Sequence, residues 1–207
     1  MDSGVGVLDK AVGVLAALAD GPMSLVELMT ATALPRATAH RLASALEVHG
    51  LVRRDPSGRF VLGGRLVELG RLAAGAYPLA TGARPVLEAL RDQTGESVQL
   101  YVPEGDGRRC VVSLQSPHGL RWIVPEGALL PMDKGSAGKV FRGQTGWAES
   151  VEEREVGVCS VSAGVVGAGG VVIAAVSVSG PVERLSRQPG QRFGNAVLAA
   201  AANLSQN

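Results

Sequence analysis

The sequence predicts an α+β protein in two domains: a small helical unit closed by a β-hairpin, then a larger layer of antiparallel sheet with helices. Three observations carry that prediction. In the first third, helical periodicity, capping residues and a tight turn follow one another. Beyond it, β-alternating segments are separated by turns rich in Gly, Asp and Pro. The 207 residues suffice for one large domain or two small ones. Hydrophobic residues at 46% against charged residues at 19% place the chain among globular proteins and exclude disorder.

The first helix is read from Leu8, Val12, Leu15 and Leu18, with Ala19, on one face, stopped by Asp20-Gly21-Pro22. Ser24 with Glu27 three residues on has capping-box spacing, so a short second helix is expected from about Leu25 to Thr30. Pro35 suits the start of a third helix because its missing N–H costs nothing there, and Gly50 suits a left-handed end. On that helix Leu42, Ala45, Leu46 and His49 are expected to pack inward. Arg36, Ala37, His40, Arg41 and Ser44 lie outward, with Thr38 completing the candidate reading set. LVRR and RFVL then alternate around Asp55-Pro56-Ser57-Gly58, a tight turn. Helix, short helix, helix and hairpin in this order make a winged helix-turn-helix.

Charge has the matching distribution. Lys+Arg 20 nearly cancels Asp+Glu 19 over the whole chain. Between Arg36 and Arg71, however, seven arginines face only Glu47, Asp55 and Glu68. A bare run of arginines is most often a solvated face. Here they fall on the reading helix and on the hairpin, where Arg53, Arg54 and Arg59 would hold phosphates while helix side chains reach base edges. The expected partner is a double-stranded DNA operator, met by one surface only.

Other compartments and chemistries fare worse. Between Glu155 and Glu183 lie 27 uncharged residues, long enough for a membrane span, but their glycines and serines and the GVVGAGG break read as a hairpin of buried strands. Cys110 and Cys159 are too few for a disulfide framework, and Asp2 and Asp9 beside one early lysine have the wrong sign for an export signal. A cytoplasmic protein is expected. No His/Cys/Asp spacing suggests a metal, and no cofactor is implied.

The segment LDKAVGVLAALADGPMSLVELMTATALPRATAHRLASALEVHGLVRRDPSGRFVLGGRLVEL resembles the amino-terminal domain of IclR-type bacterial transcriptional regulators. The TAHRLASALE–GLV pattern, a basic wing and GGRLVELG carry the likeness, which runs through most of the chain. It extends to the actinobacterial subgroup that regulates amino-acid metabolism, leucine biosynthesis included, in keeping with 17 arginines to 3 lysines. The resemblance implies a DNA-binding domain over 1–63, a linker helix over 64–78 ending at the Tyr77-Pro78 breaker, and a GAF-like α+β effector-binding domain over 79–207. It also implies a homodimer paired through the amino-terminal domains, with possible further association into a tetramer.

In the second domain a helix is expected over Pro85–Thr94. SVQLYV, CVVSLQS and LRWIV read as strands, KGSAGKVF as a glycine-rich loop entering a helix, and Phe193–Leu204 as a final helix. KGSAGK fails the Walker A spacing, since Val140 follows Lys139, although amides at the helix start could greet a small acid's carboxylate. Ser177 and Ser179 share one strand face, either as pocket donors or as serines satisfied locally. The resemblance implies that an effector pocket uses Ser136, Ala137, Glu149, Cys159, Ser177 and Ser179.

One departure stands out. After GKVF the family usually continues through some tens of residues, including helix, before the segment matching GWAES. Here Phe141 meets Arg142 directly. Either that part of the effector domain is lost, or the sequence omits a loop and numbers across the gap; the good match of both flanks favours omission. Two further readings compete with a metabolite-sensing regulator. The second domain could serve oligomerisation only, or Cys159 with His118 could form a hydrolytic dyad, for which no surrounding motif speaks.

Overall fold

The computed structural model describes residues 3–75 and 78–205. The chain divides into two compact units between residues 76 and 77, each described here on its own.

The first unit runs α1 (Gly6–Leu18), α2 (Leu25–Thr32), α3 (Arg36–Val48), β1 (Val52–Arg54), β2 (Phe60–Leu62) and α4 (Arg65–Gly75). Ser24 and Glu27 close α2 with a reciprocal capping box: the Ser24 amide donates to Glu27 Oε2 at 2.7 Å and the Glu27 amide to Ser24 Oγ at 3.3 Å. α3 ends in a Schellman motif. Gly50, at φ +68°, donates to the Glu47 carbonyl, and the Leu51 amide reaches back to Leu46. The buried faces differ from the sequence expectation. In α1 it is Val14 and Leu18 that are buried, whereas Leu8 and Val12 are exposed. In α3 the inward stripe is Ala39, Leu42, Ala43 and Leu46, while Ala45 and His49 are exposed. On α3 the i, i+3, i+4, i+7 set that packs inward is rotated by about 60° from the set periodicity suggested, at about 100° per residue. Phe60, Val52 and Leu28 complete this core.

The wing is a β1–β2 pair with register Val52↔Leu62 and Arg54↔Phe60, extended by an isolated bridge between Met23 and Phe60. Asp55 holds its turn: one carboxylate oxygen accepts from the Ser57 amide at 2.9 Å, the Ser57 hydroxyl at 2.7 Å and the Arg59 amide at 3.0 Å.

The second unit comprises α5 (Pro78–Thr94), β3 (Ser97–Glu104), β4 (Gly107–Leu114), β5 (Leu129–Pro131), α6 (Ser136–Phe141), β6 (Trp147–Val151), β7 (Val158–Val166), β8 (Val172–Pro181), α7 (Val182–Leu185) and α8 (Pro189–Ser205). Six strands form one antiparallel sheet in the order β5-β4-β3-β8-β7-β6. Alternation assigns its faces. Val98, Leu100, Val161, Ala163, Val176 and Val178 pack against α5 and α8. Tyr101, Cys110, Ala148 and Ala175 pack on the opposite side against α6. The uncharged stretch is the β7–β8 hairpin, as its glycines suggested, and no helix among the described residues is long and apolar enough to cross a membrane.

Three expectations are corrected. α5 begins at Pro78 and passes through Pro85, because Ala83, Leu87 and Leu90 bury against the sheet and that packing outweighs one lost backbone bond. Of the expected Tyr77-Pro78 breaker, Tyr77 lies outside the described residues and Pro78 is the first residue of the helix. LRWIV joins no ladder. The edge of β4 is taken instead by Leu129–Pro131, and the Cys110 amide donates to the Ala128 carbonyl at 2.9 Å.

The Phe141–Arg142 junction is a complete helix end. The Gly143 amide donates to Val140 and the Gln144 amide to Lys139, with Gly143 at φ +99°, and the chain then turns into β6.

Candidate DNA-reading face and effector cavity

Arg36, Ala37, His40 and Arg41 are exposed on the outer face of α3, with Thr38 and Ser44 half-buried beside them. Arg36 and Arg41 have no ion-pair partner among the described residues, and neither does Arg53 on β1. Their charges are not compensated by any ion pair among the described residues. Arg54 is partly engaged. Its guanidinium lies 4.2 Å from the Phe60 ring centroid, 3.5 Å from Glu47, and donates to the Gly58 carbonyl at 3.2 Å. Arg59 departs from its expected role as a free phosphate contact. Nη2 donates to the Pro22 carbonyl at 2.7 Å and to Glu27 Oε2 at 2.8 Å, so the side chain ties the wing to the start of α2. A guanidinium committed to a carboxylate has less to offer a phosphate.

In the second unit, Ser136 and Ala137 from α6, Ser150 from β6, Ser160 from β7, and Ser177 and Ser179 from β8 converge on a narrow cavity, with Tyr101 and Arg108 behind it and Trp122, Arg154 and Glu155 around its mouth. The Ser136 hydroxyl is hydrogen-bonded at 2.7 Å to both Ser160 and Ser162. Ser179 donates to Gln99 Oε1 at 2.8 Å, which leaves the buried Gln99 Nε2 without a partner. Arg108 is only 2% exposed. One of its terminal nitrogens donates to the Pro131 carbonyl and its Nε has no partner. Burial lowers its pKa to about 10; Tyr101 and Asp133 oppose that shift, while Arg154 and Arg142 add to it.

Four of the six expected effector residues therefore line the cavity: Ser136, Ala137, Ser177 and Ser179. Glu149 and Cys159 do not. Glu149 sits on the opposite face of β6, where its Oε2 accepts the Gly190 amide at the start of α8. Ser150, one residue on, faces the cavity, and the period of two makes that single step decisive. Cys159 has the parity of Val161 and Ala163 and so faces away from the cavity. Burial raises its pKa, the reverse of what activates a nucleophile, so the hydrolytic dyad with His118 finds no support.

The structure also accounts for KGSAGK. A Cβ on Gly135 would lie 3.0 Å from an Arg108 nitrogen, and one on Gly138 would lie 2.4 Å from the Met132 carbonyl oxygen. Glycine is needed there because the arginine and a backbone strand lie against the loop. The Gly135 amide is already used by Glu153 at 3.1 Å, and Lys139 pairs with Glu153, so neither greets a phosphate or carboxylate. Sequence reasoning missed Arg108, Ser150 and Ser160. The alternation of SVS in β7 with SVS in β8 was the available signal for Ser160; for Arg108 there was none.

Two family models match the chain: the IclR helix-turn-helix domain over residues 7–56, and the bacterial transcriptional regulator IclR C-terminal domain over residues 142–206. Together they account for more than half of its length. The chain belongs to the IclR family. The glycerol operon regulatory protein of Streptomyces griseus is 28% identical over 97% of this chain and 95% of its own length. The transcriptional regulator KipR of Bacillus subtilis is 31% identical over 56% of this chain, which spans about half of KipR (47%). Among solved structures, an IclR homologue from Microbacterium hydrocarbonoxydans, complexed with 4-hydroxybenzoate, superposes with TM-score 0.79 at 20% identity, covering 97% of this chain and 98% of that one; the likeness is one of fold. This IclR-family chain is a DNA-binding transcriptional regulator, and its relatives are regulators rather than enzymes. The C-terminal family model takes up at Arg142, and the alignment with the Streptomyces griseus protein runs over 241 positions, longer than this chain. The relative thus carries some tens of residues for which this chain has no counterpart.

Proposed function

We propose that the protein is an effector-responsive regulator in which α3 enters the major groove of an operator. The observation that carries this is the pair of exposed, unpaired arginines Arg36 and Arg41 on the outer face of α3, together with Arg53, likewise exposed and unpaired, on the wing. Ala37, Thr38, His40 and Ser44 would complete the base-facing surface and Arg54 would support it. A homodimer would present two such helices about 34 Å apart on a near-palindromic site. Exposed Val5, Leu8 and Val12 on and before α1, and Val67, Leu69 and Leu72 on α4, offer the apolar area for pairing; a tetramer would form through the second domain.

A small metabolite, an amino acid or a keto or hydroxy acid, would bind the serine-lined cavity and bias the spacing of the two reading heads, by as much as its affinity differs between the two arrangements. Amino-acid metabolism, leucine biosynthesis included, is the regulated pathway the sequence resemblance suggests, whereas the Streptomyces griseus relative is named for a glycerol operon. The site of action would be the cytoplasm. A purely oligomerising second domain is the competing reading, and the convergence of polar side chains on one cavity favours the sensor. Selecting genomic fragments on the purified protein tests the core of the proposal. A shared palindromic motif is expected; fragments without any common sequence would refute it.

A further inference from the structure

We propose that the outer edge of β6 is a pairing surface for a second copy of this chain, held closed by an internal contact from Lys139 and Gln144. Among the described residues β6 is the last strand of the sheet, bonded to β7 on one side only. Just beyond the strand the Glu152 amide donates to the Val158 carbonyl, so the even positions turn their backbone groups to β7. The backbone groups of Trp147, Glu149 and Val151 therefore turn outward. Such a row of amides and carbonyls is a template for another strand, and Trp and Val are strand-forming residues.

Two of the outward carbonyls are already taken. Lys139 Nζ donates to the Glu149 carbonyl at 2.8 Å, and Gln144 Nε2 to the Trp147 carbonyl at 3.2 Å. Neither residue belongs to the sheet. Lys139 lies on α6, and Gln144 lies in the connection 142–146, where its amide bonds to the Lys139 carbonyl at 3.1 Å. Lys139 is fixed further by its ion pair with Glu153, whose other oxygen accepts the Gly135 amide at 3.1 Å. The opposite edge of the sheet is closed by its own backbone. β5 has three residues, and its Pro131 has no N–H to offer and gives its carbonyl to Arg108. β6, with five residues, is thus the longer edge and is closed by side chains alone. A second copy is the partner that fits, because an antiparallel strand related by a two-fold axis offers each edge the donors and acceptors that the other lacks. With the contact in place, self-association of the second domain uses surfaces other than β6.

Sedimentation velocity of the full chain over a range of concentrations, beside hydrogen exchange at the Glu149 and Val151 amides, tests the proposal. The parent is expected to keep both amides in fast exchange at every concentration. The double variant Lys139→Ala, Gln144→Ala should reach at least about twice the parental mass as concentration rises, with exchange at the two amides slowed about tenfold or more in step. Lys139→Arg, whose guanidinium can still donate to the carbonyl, should stay at the parental mass. If the double variant does not fold, Lys139→Met, which keeps the aliphatic stem and loses the donor, should show the same rise at higher concentration. A folded variant of unchanged mass would overturn the proposal. So would a gain in mass with both amides exchanging at the parental rate, since the contact would then lie elsewhere. Parental mass, with protection appearing only when cell extract is added, would give the edge to a foreign strand and overturn the choice of a second copy.

Discussion

Glu149 accepts the backbone amide of Gly190 at 2.9 Å, across the junction of β6 with the start of α8. The acid that sequence likeness put in the effector pocket instead holds a helix end, on the side of the sheet away from the cavity. Beside it the indole of Trp147 lies on Gly190 and Gly194 so closely that a Cβ on Gly190 would sit 2.0 Å from a ring carbon.

Replacing Glu149 by alanine should therefore lower stability by about 1 kcal/mol, the typical cost of a lost helix cap, and leave effector affinity within about twofold, since only cavity contacts carry a bidentate or charged bond. Calorimetric binding beside thermal melts checks it; a large loss of affinity would return Glu149 to the pocket.

Gly190→Ala should be severe by comparison. Overpacking of this kind costs about 1–3 kcal/mol or more, and the loss should shrink when Trp147→Ala is added, because the clash partner is removed. Melting temperatures of the single and double variants give the coupling directly.

On the reading face, Arg41→Ala should weaken operator binding by about 1–3 kcal/mol and relax base preference at one position. Competition against operators varied at each base would show this. An unchanged specificity profile would remove α3 from the groove.

Arg53 and Arg59 should behave differently under salt, although both are wing arginines. Arg53 is exposed and unpaired, so its alanine variant should lower the slope of log K against log salt by about 0.9. Arg59 is tied to Pro22 and Glu27, so its variant should weaken binding by loosening the wing while leaving the slope near that of the parent.

The wing should open in acid. Hydrogen bonds from the Ser57 hydroxyl and the Arg59 amide, above all, hold the Asp55 carboxyl below its ordinary value of 3.8. A folded-state pKa below the unfolded one means that the contribution is complete above about pH 4 and is lost as pH falls through the lower folded value. Hydrogen exchange at the Arg59 amide, followed downward from pH 5, should accelerate only below that range, and in Asp55→Asn the step should vanish.

Which parts were legible in sequence follows from the range of the forces involved. The capping box at Ser24 and Glu27, the left-handed end at Gly50, the Asp55 turn and the β7–β8 hairpin depend on residues a few positions apart, and local rules found them. The family likeness also came through, since the reading helix and wing occupy one continuous stretch. The buried faces of α1 and α3 were rotated from expectation because helical periodicity gives a stripe, while the neighbours decide which edge of it is covered.

Sequence by itself thus determined the two-domain plan, the winged helix and the strand face shared by Ser177 and Ser179, all of them consequences of backbone period and local hydrogen bonding. Tertiary structure alone decided that Glu149 caps α8, that Arg59 is a strut and that Arg108 lies on Gly135 behind the serines. Those facts join residues from strands and loops far apart in the chain, and a one-residue step in a strand reverses which side of the sheet a side chain meets.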